Sequence, residues 1–191
     1  MPSSGVSFGR AVILAVGSEL LTPLRIDTNS LTITGALNAT GIDVIWKAVV
    51  GDDHDSLARL LTRAREDADL VVLSGGLGPT DDDVTRDVVS AVLGLPLTED
   101  AAIVDAIAAR FAARGWPMPA NNRRQANVPS GAVVLPNPRG TAPGLWIEHG
   151  GGRCCCCPGR RGSWRRCSRT RCRPTSGRGL AGSGSSAAWS G

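Results

Sequence analysis

The first 153 residues contain no cysteine; all six, Cys154, Cys155, Cys156, Cys157, Cys167 and Cys172, come later. That excludes a disulfide framework or a thiolate metal site from most of the chain and is compatible with a reducing compartment. Residues 153–191 lack acid altogether: they hold nine Arg and no Lys, Asp or Glu. Twelve of the 21 Lys and Arg and all 17 Asp and Glu therefore fall in residues 1–152, which carry −5 against +9 for the tail. The pI near 9.0 belongs to the tail, so the whole-chain charge gives no ground for a nucleic-acid partner. Long hydrophobic runs are missing too. Residues 1–10 are polar, and the run Ala11–Val16 is too short for a signal sequence or a membrane span. The expectation is a cytoplasmic protein with no membrane partner.

What is present is a repeated alternation of short apolar runs and helical periodicity. Residues 11–16, 42–50 and 69–74 read as strands, the first apolar throughout and the third apolar over 70–73, as strands buried on both faces are. Asn29–Ala39, His54–Ala68, Val84–Leu93 and Glu99–Arg114 read as helices, with Asp27 or Thr28 and Asp53 or Asp55 as caps and Gly41, Gly94 and Gly115 as stops. Residues 132–135 and 144–148 read as two late strands. The order predicts an α/β fold in three layers, a mainly parallel sheet with helices on both faces.

The segment Ser74-Gly75-Gly76-Leu77-Gly78-Pro79-Thr80 joins a buried strand to a helix. In open α/β sheets ligands bind at the carboxyl ends of strands. Glycines let backbone N–H groups turn toward a ligand, and N–H groups beside a helix start suit phosphate. Asp81, Asp82 and Asp83 follow at once. Carboxylates complement the helix dipole, but beside an anion cradle they also suit a divalent metal bridging to phosphate, or a general base. A tight turn with acidic capping is the plain alternative.

These residues resemble a known family. SGGLGPTDDDVT (Ser74–Thr85) is similar to the hallmark loop of the CinA (competence/damage-inducible protein A) amino-terminal domain, usually GGLGPT, any residue, DD, any residue, T. GSELL (Gly17–Leu21), DTNS (Asp27–Ser30), VVGDD (Val49–Asp53) and NRRQANVPSGAVVLPNPRGTAPGLWI (Asn122–Ile147) resemble further motifs in the family order. The resemblance implies the molybdopterin-binding (MoCF-type) fold. It implies a metal-dependent pyrophosphatase acting on ADP-ribose or a related nucleotide. The alternatives are a molybdopterin or pterin-binding module without hydrolysis, and a truncated, inactive member. In many members a second domain follows that deamidates nicotinamide mononucleotide; this chain is expected to be too short to include it. By the same resemblance Gly75, Gly76, Gly78 and Thr80, with Ser74, would hold phosphate, and Asp82 and Asp83 would serve catalysis or a divalent metal, Asp81 being only a cap. Glu19, Asp27 and Asn29 would reach the same cleft, and Asn137, Gly140 and Thr141 would close over the ligand; capping and turn chemistry account for these six as well. The superfamily resemblance implies a homo-oligomer, a dimer or trimer.

Beyond residue 152 the family pattern continues with an aliphatic strand and Pro-Gly-Pro-Pro, whereas this chain reads RCCCCPGRRGSWRRC. A back-translation of Cys154–Cys167 shifted by two bases reads Leu-Leu-Leu-Pro-Gly-Pro-Pro-Arg-Glu-Leu-Glu-Ala-Met. The expected division is thus a flexible 1–10, a domain over 11–152, and a frameshifted or disordered Arg/Cys/Gly-rich tail over 153–191; if that tail is genuine, the domain is expected to lack a late strand.

Overall fold

The computed structural model describes residues 9–159. The expectations for residues 1–8 and for 160–191, with Cys167 and Cys172, lie outside the described residues. In chain order the elements are β1 (Arg10–Val16), α1 (Thr28–Asn38), β2 (Asp43–Val50), α2 (His54–Asp67), β3 (Leu70–Ser74), α3 (Thr85–Leu93), β4 (Leu97–Glu99), α4 (Ala101–Ala112), β5 (Asn127–Pro129), β6 (Val133–Leu135), β7 (Gly144–His149) and β8 (Gly152–Cys157). Short 3-10 turns cover Ser18–Leu21 and Ala120–Ala126.

Six strands form one sheet in the order β2-β1-β3-β8-β7-β6. The first four are parallel, and β7 alone runs the other way, antiparallel to both β8 and β6. The alternation of side chains along β1 divides the core. Val12, Leu14 and Val16 face a layer built from α2, α3 and α4, through Leu57, Leu61, Val88, Val89 and Ile107. Ala11 and Ile13 face Ile33 and Leu37 of α1 and Trp146 of β7. A strand covered on both sides needs apolar residues at every position, which is why β1 and β3 read as unbroken runs. The expected α/β architecture, a mainly parallel sheet with helices on both faces, is the one observed.

The helix starts follow their caps. Asp27 accepts from the Ser30 N–H (3.0 Å), Asp53 from the Ser56 N–H (2.8 Å) and Asp100 from the Ala102 N–H (2.9 Å), each satisfying an orphan donor of the first turn. Gly94, at φ 65°, ends α3 in the left-handed conformation.

The segment from Arg153 differs from its expectation. Far from being an unstructured tail, Gly152–Cys157 is a central strand of the sheet, parallel to β3 and antiparallel to β7. The domain therefore does not end at residue 152, and it does not lack its late strand. Cys154 and Cys156 sit in the layer with α2–α4 and Cys155 and Cys157 in the layer with α1, all four buried. A reduced cysteine behaves as a small hydrophobe, so the run meets the one demand that this position makes. The ribbon of β4 and β5 was not expected either; β4 takes Glu99, the first residue assigned to the fourth helix, and α4 starts at Ala101. Among the described residues no helix is long and apolar enough to cross a membrane.

Candidate functional site

A cleft of about 730 Å³ opens at the carboxyl ends of β1 and β3, and every residue expected at the site lies in its wall: Glu19, Asp27, Asn29, Ser74, Gly75, Gly76, Gly78, Thr80, Asp82, Asp83, Asn137, Gly140 and Thr141. Asp81, read as a cap, is not among the lining residues. The sheet explains the convergence. Parallel β1 and β3 end side by side, the turn after β1 carries Glu19, and Asn29 in the first turn of α1 lies across from Ser74.

The glycines are required by close approach. Gly75 has φ 112°, and a Cβ there would run into the Val16 carbonyl; a Cβ on Gly76, at φ 62°, would meet the Thr85 hydroxyl. The Thr85 hydroxyl donates to the Gly75 carbonyl (2.9 Å) and closes the loop onto α3. The Gly75 N–H is spent on the Cys157 carbonyl (3.0 Å). The N–H groups of Gly76 and Leu77 have no acceptor among the described residues.

Asp82 and Asp83 are placed differently. Asp83 turns back under the loop, where its carboxylate accepts from the Gly78 N–H (2.6 Å), the Thr80 N–H (2.9 Å) and the Thr80 hydroxyl (2.6 Å). Two of the groups expected to hold phosphate are thus held by an internal carboxylate. Gly78 has no side chain because a Cβ would clash with that carboxylate. Asp82 is exposed at the rim. Among the described residues no three His, Cys, Asp or Glu side chains cluster as a metal site would require. With Asp83 committed to three donors, the side chains present do not fit a metal held by the protein itself.

The other expected residues divide in the same way. Asp27 caps α1, and Asn137 organises its own turn: its Nδ2 donates to the Ala142 carbonyl (2.8 Å), and its Oδ1 accepts from the Arg139 N–H (3.2 Å). Asn29 Nδ2 reaches the Gly159 carbonyl (2.5 Å) and, more distantly, Ser74 Oγ (3.5 Å), which ties α1 to the ends of β3 and β8. Gly140 and Thr141 form the far lip of the cleft, held by Arg110 of α4 through the Gly140 carbonyl (2.7 Å) and the Asn137 carbonyl (3.0 Å).

Sequence reasoning missed three arginines and an aspartate. Arg25 and Asp52 line the cleft, and Asp52 accepts from the Ser18 N–H (2.8 Å). Arg124 donates to Asp81 (2.8 Å), Asp87 (2.5 Å) and the Thr80 carbonyl (3.2 Å), and its bond to Asp87 holds its guanidinium above the usual arginine range. Arg86, one residue beyond the hallmark loop, is buried beneath it. For Asp52 and Arg124 the signal was their place in VVGDD and NRRQAN; for Arg25 and Arg86 no local pattern pointed to the site.

The family described as a probable molybdopterin binding domain matches residues 12–176. A CinA-like protein of Acidobacterium capsulatum is 49% identical over 138 residues, 72% of this chain and 33% of the relative. A putative competence-damage inducible protein of Symbiobacterium thermophilum is 48% identical over 141 residues, 74% of this chain and 33% of the relative. The chain thus spans about a third of the length of these relatives. The crystal structure of the protein CinA from Thermoplasma acidophilum superposes with a TM-score of 0.75 at 31% identity, over 84% of this chain and 95% of that one. The molybdopterin biosynthesis enzyme MoaB of Thermus thermophilus shares the fold at a TM-score of 0.54 and 20% identity, over 84% of this chain and 87% of that one. With the family match over residues 12–176 and this likeness to CinA proteins, the protein belongs to the molybdopterin-binding-domain family, among its CinA-like members.

Proposed function

We propose that the cleft binds the diphosphate of a small nucleotide such as ADP-ribose and that the domain hydrolyses the linkage. One observation carries the reading. Where β3 ends, the adjacent N–H groups of Gly76 and Leu77 have no acceptor among the described residues, and the exposed Asp82 lines the same cleft, which is large enough for a nucleotide. Paired N–H groups beside a helix start bind phosphoryl oxygens. The Asp82 carboxylate, which accepts no hydrogen bond from a described residue, is the group available to take a proton from water attacking phosphorus. Asp83 holds the loop in shape and takes no part in proton transfer in this scheme.

The test is turnover of ADP-ribose by the full chain, assayed with added divalent metal and again with chelator. Asp82→Asn is expected to lower kcat at least about 100-fold, the usual contribution of a positioned base, while ADP-ribose binding persists. Undiminished turnover in that variant would remove Asp82 from the scheme, and no turnover in the wild type would remove hydrolysis.

A second reading has its own support. The matching family is described by molybdopterin binding, and a pterin phosphate would use the same N–H groups. Tight pterin binding without product would favour it over the first.

A further inference from the structure

Arg86 lies in the first turn of α3, 2% exposed, among the largest fully buried side chains of the protein. Its Nη1 donates to the Leu77 carbonyl (2.5 Å) and its Nη2 to the Gly78 carbonyl (2.6 Å). Its Nε is buried with no hydrogen-bond partner. Among the described residues no carboxylate forms an ion pair with it. The acids nearby are committed elsewhere: Asp87 pairs with Arg124 (2.5 Å), and Asp83 accepts from the loop. Burial lowers the guanidinium from its usual range, with Asp87 and Asp83 opposing that and Arg124 reinforcing it. A buried cation without a counter-ion is costly, so its retention under this loop asks for a reason.

The peptide geometry supplies one. The carbonyl and N–H of a trans peptide point in opposite directions. Arg86 draws the Leu77 carbonyl inward, and the N–H of the same peptide, that of Gly78, is left facing the Asp83 carboxylate. The peptide dipole is thereby held between a buried positive charge and an anion. The cleft wall itself is acidic: Glu19, Asp27, Asp52, Asp82 and Asp83 stand against Arg25. A phosphate entering that wall needs positive potential from elsewhere, and the guanidinium directly beneath the loop is placed to give it.

We propose that Arg86 supports anion binding from beneath the loop: its buried guanidinium supplies the positive potential that the acidic wall lacks, while its bonds to the Leu77 and Gly78 carbonyls fix the loop over it. It touches no ligand, since it does not line the cleft. The proposal rests on the reading of the cleft as a phosphate site.

The probe is inorganic pyrophosphate, titrated calorimetrically into the full-length wild type, Arg86→Lys and Arg86→Gln. A lysine keeps the charge and reaches one carbonyl; a glutamine also donates to one carbonyl but carries no charge. Arg86→Gln is expected to weaken pyrophosphate binding by about tenfold or more, and Arg86→Lys to recover most of that loss, since buried charge acts strongly across a short, dry distance. If the role were only to shape the loop, the two variants would fall together, and that outcome overturns the proposal, as does wild-type affinity in Arg86→Gln. Should the variants not fold, nitrogen-15 NMR of the wild type decides. The Arg86 side-chain and Gly78 N–H resonances are expected to move with pyrophosphate and half-saturate together; no movement at saturation overturns the proposal. A wild type that binds no pyrophosphate takes down the phosphate reading and this proposal with it, whereas binding that is indifferent to residue 86 takes down this proposal alone.

Discussion

Strands β3 and β8 lie side by side at the centre of the sheet, and no two elements of the protein look less alike on paper. One is LVVLS and the other GRCCCC. Their register pairs Val71 with Cys154, Val72 with Cys155, Leu73 with Cys156 and Ser74 with Cys157. All of these are buried, and their side chains alternate between the same two core layers. A strand with helices on both sides requires residues that are apolar and of moderate size, and says little about which ones. The two strands then diverge in what they deliver. β3 runs straight into the glycine loop, while β8 supports it from the side through the Cys157 carbonyl, with Gly159 packed against Gly75.

The comparison breaks most readily with a charge. Val72→Asp and Cys155→Asp place a carboxylate at paired positions of the two strands, both fully buried. An unpaired buried carboxylate costs several kcal/mol, a large share of the roughly 5–15 kcal/mol that holds a domain together. Both variants are expected to lose the cooperative thermal transition seen by circular dichroism. A Cys155→Asp protein that melts like the wild type would show that β8 is not a central strand.

A second difference is chemical, because β8 can titrate and β3 cannot. Burial pushes the Cys154 thiol up from 9.0 to about 11, against a small opposing pull from Arg65. Between those values the unfolded chain releases a proton that the folded chain keeps, so stability that is intact below pH 9 is lost as the pH rises toward 11. Two pKa units correspond to about 3 kcal/mol. The urea midpoint is expected to fall between pH 8.5 and 10.5, and to fall less in Cys154→Val, whose β3 neighbour Val71 shows what an untitratable side chain does at that depth.

The same contrast explains what the sequence made legible. β1, β3 and the glycine loop could be read because their signals are local: an unbroken apolar run, a strand–glycine–helix junction, a cap three residues before its N–H. Every expected site residue reached the cleft for that reason, since the ends of parallel strands fix where such loops meet. The role of Asp83 could not be read, because whether a carboxylate faces a ligand or folds back onto its own loop depends on a few ångströms of turn geometry. Arg86 was hidden because an arginine in a helical pattern reads as surface until its burial is known. β8 was misread because composition was allowed to outweigh position: four cysteines are poor evidence for a strand in isolation and adequate filling for one between β3 and β7.

Where the two strands meet the loop, their glycines should differ in cost. Gly75→Ala adds a Cβ against the Val16 carbonyl at φ 112° and is expected to cost about 1–3 kcal/mol, the range for a forced backbone conformation. At the end of β8, Gly159→Ala brings a Cβ to 3.3 Å from Gly75 Cα with no left-handed φ to enforce, so its cost should be the smaller of the two. Urea midpoints of the two variants give the order directly, and a larger effect at Gly159 would mean that β8, and not β3, carries the strain of the junction.

The smallest effect expected is the sharpest test of equivalence. Val72→Cys and Cys155→Val exchange the two residues across one register pair, singly and together. Each single change alters the core by about one methyl group. Val72→Cys should cost about 0.5–1.5 kcal/mol as a mild truncation, and Cys155→Val should lie within about 1.5 kcal/mol of the wild type in either direction, depending on whether the added volume is accommodated. Because Val72 and Cys155 share one core layer and adjacent strands, the losses should not add: in the double variant the cavity left on β3 receives the methyl added on β8, and the pair should be closer to wild type than the sum of its parts. Additive losses would mean that the two side chains do not share that space, and that the cysteine strand is packed to its own pattern, with β3 merely its neighbour.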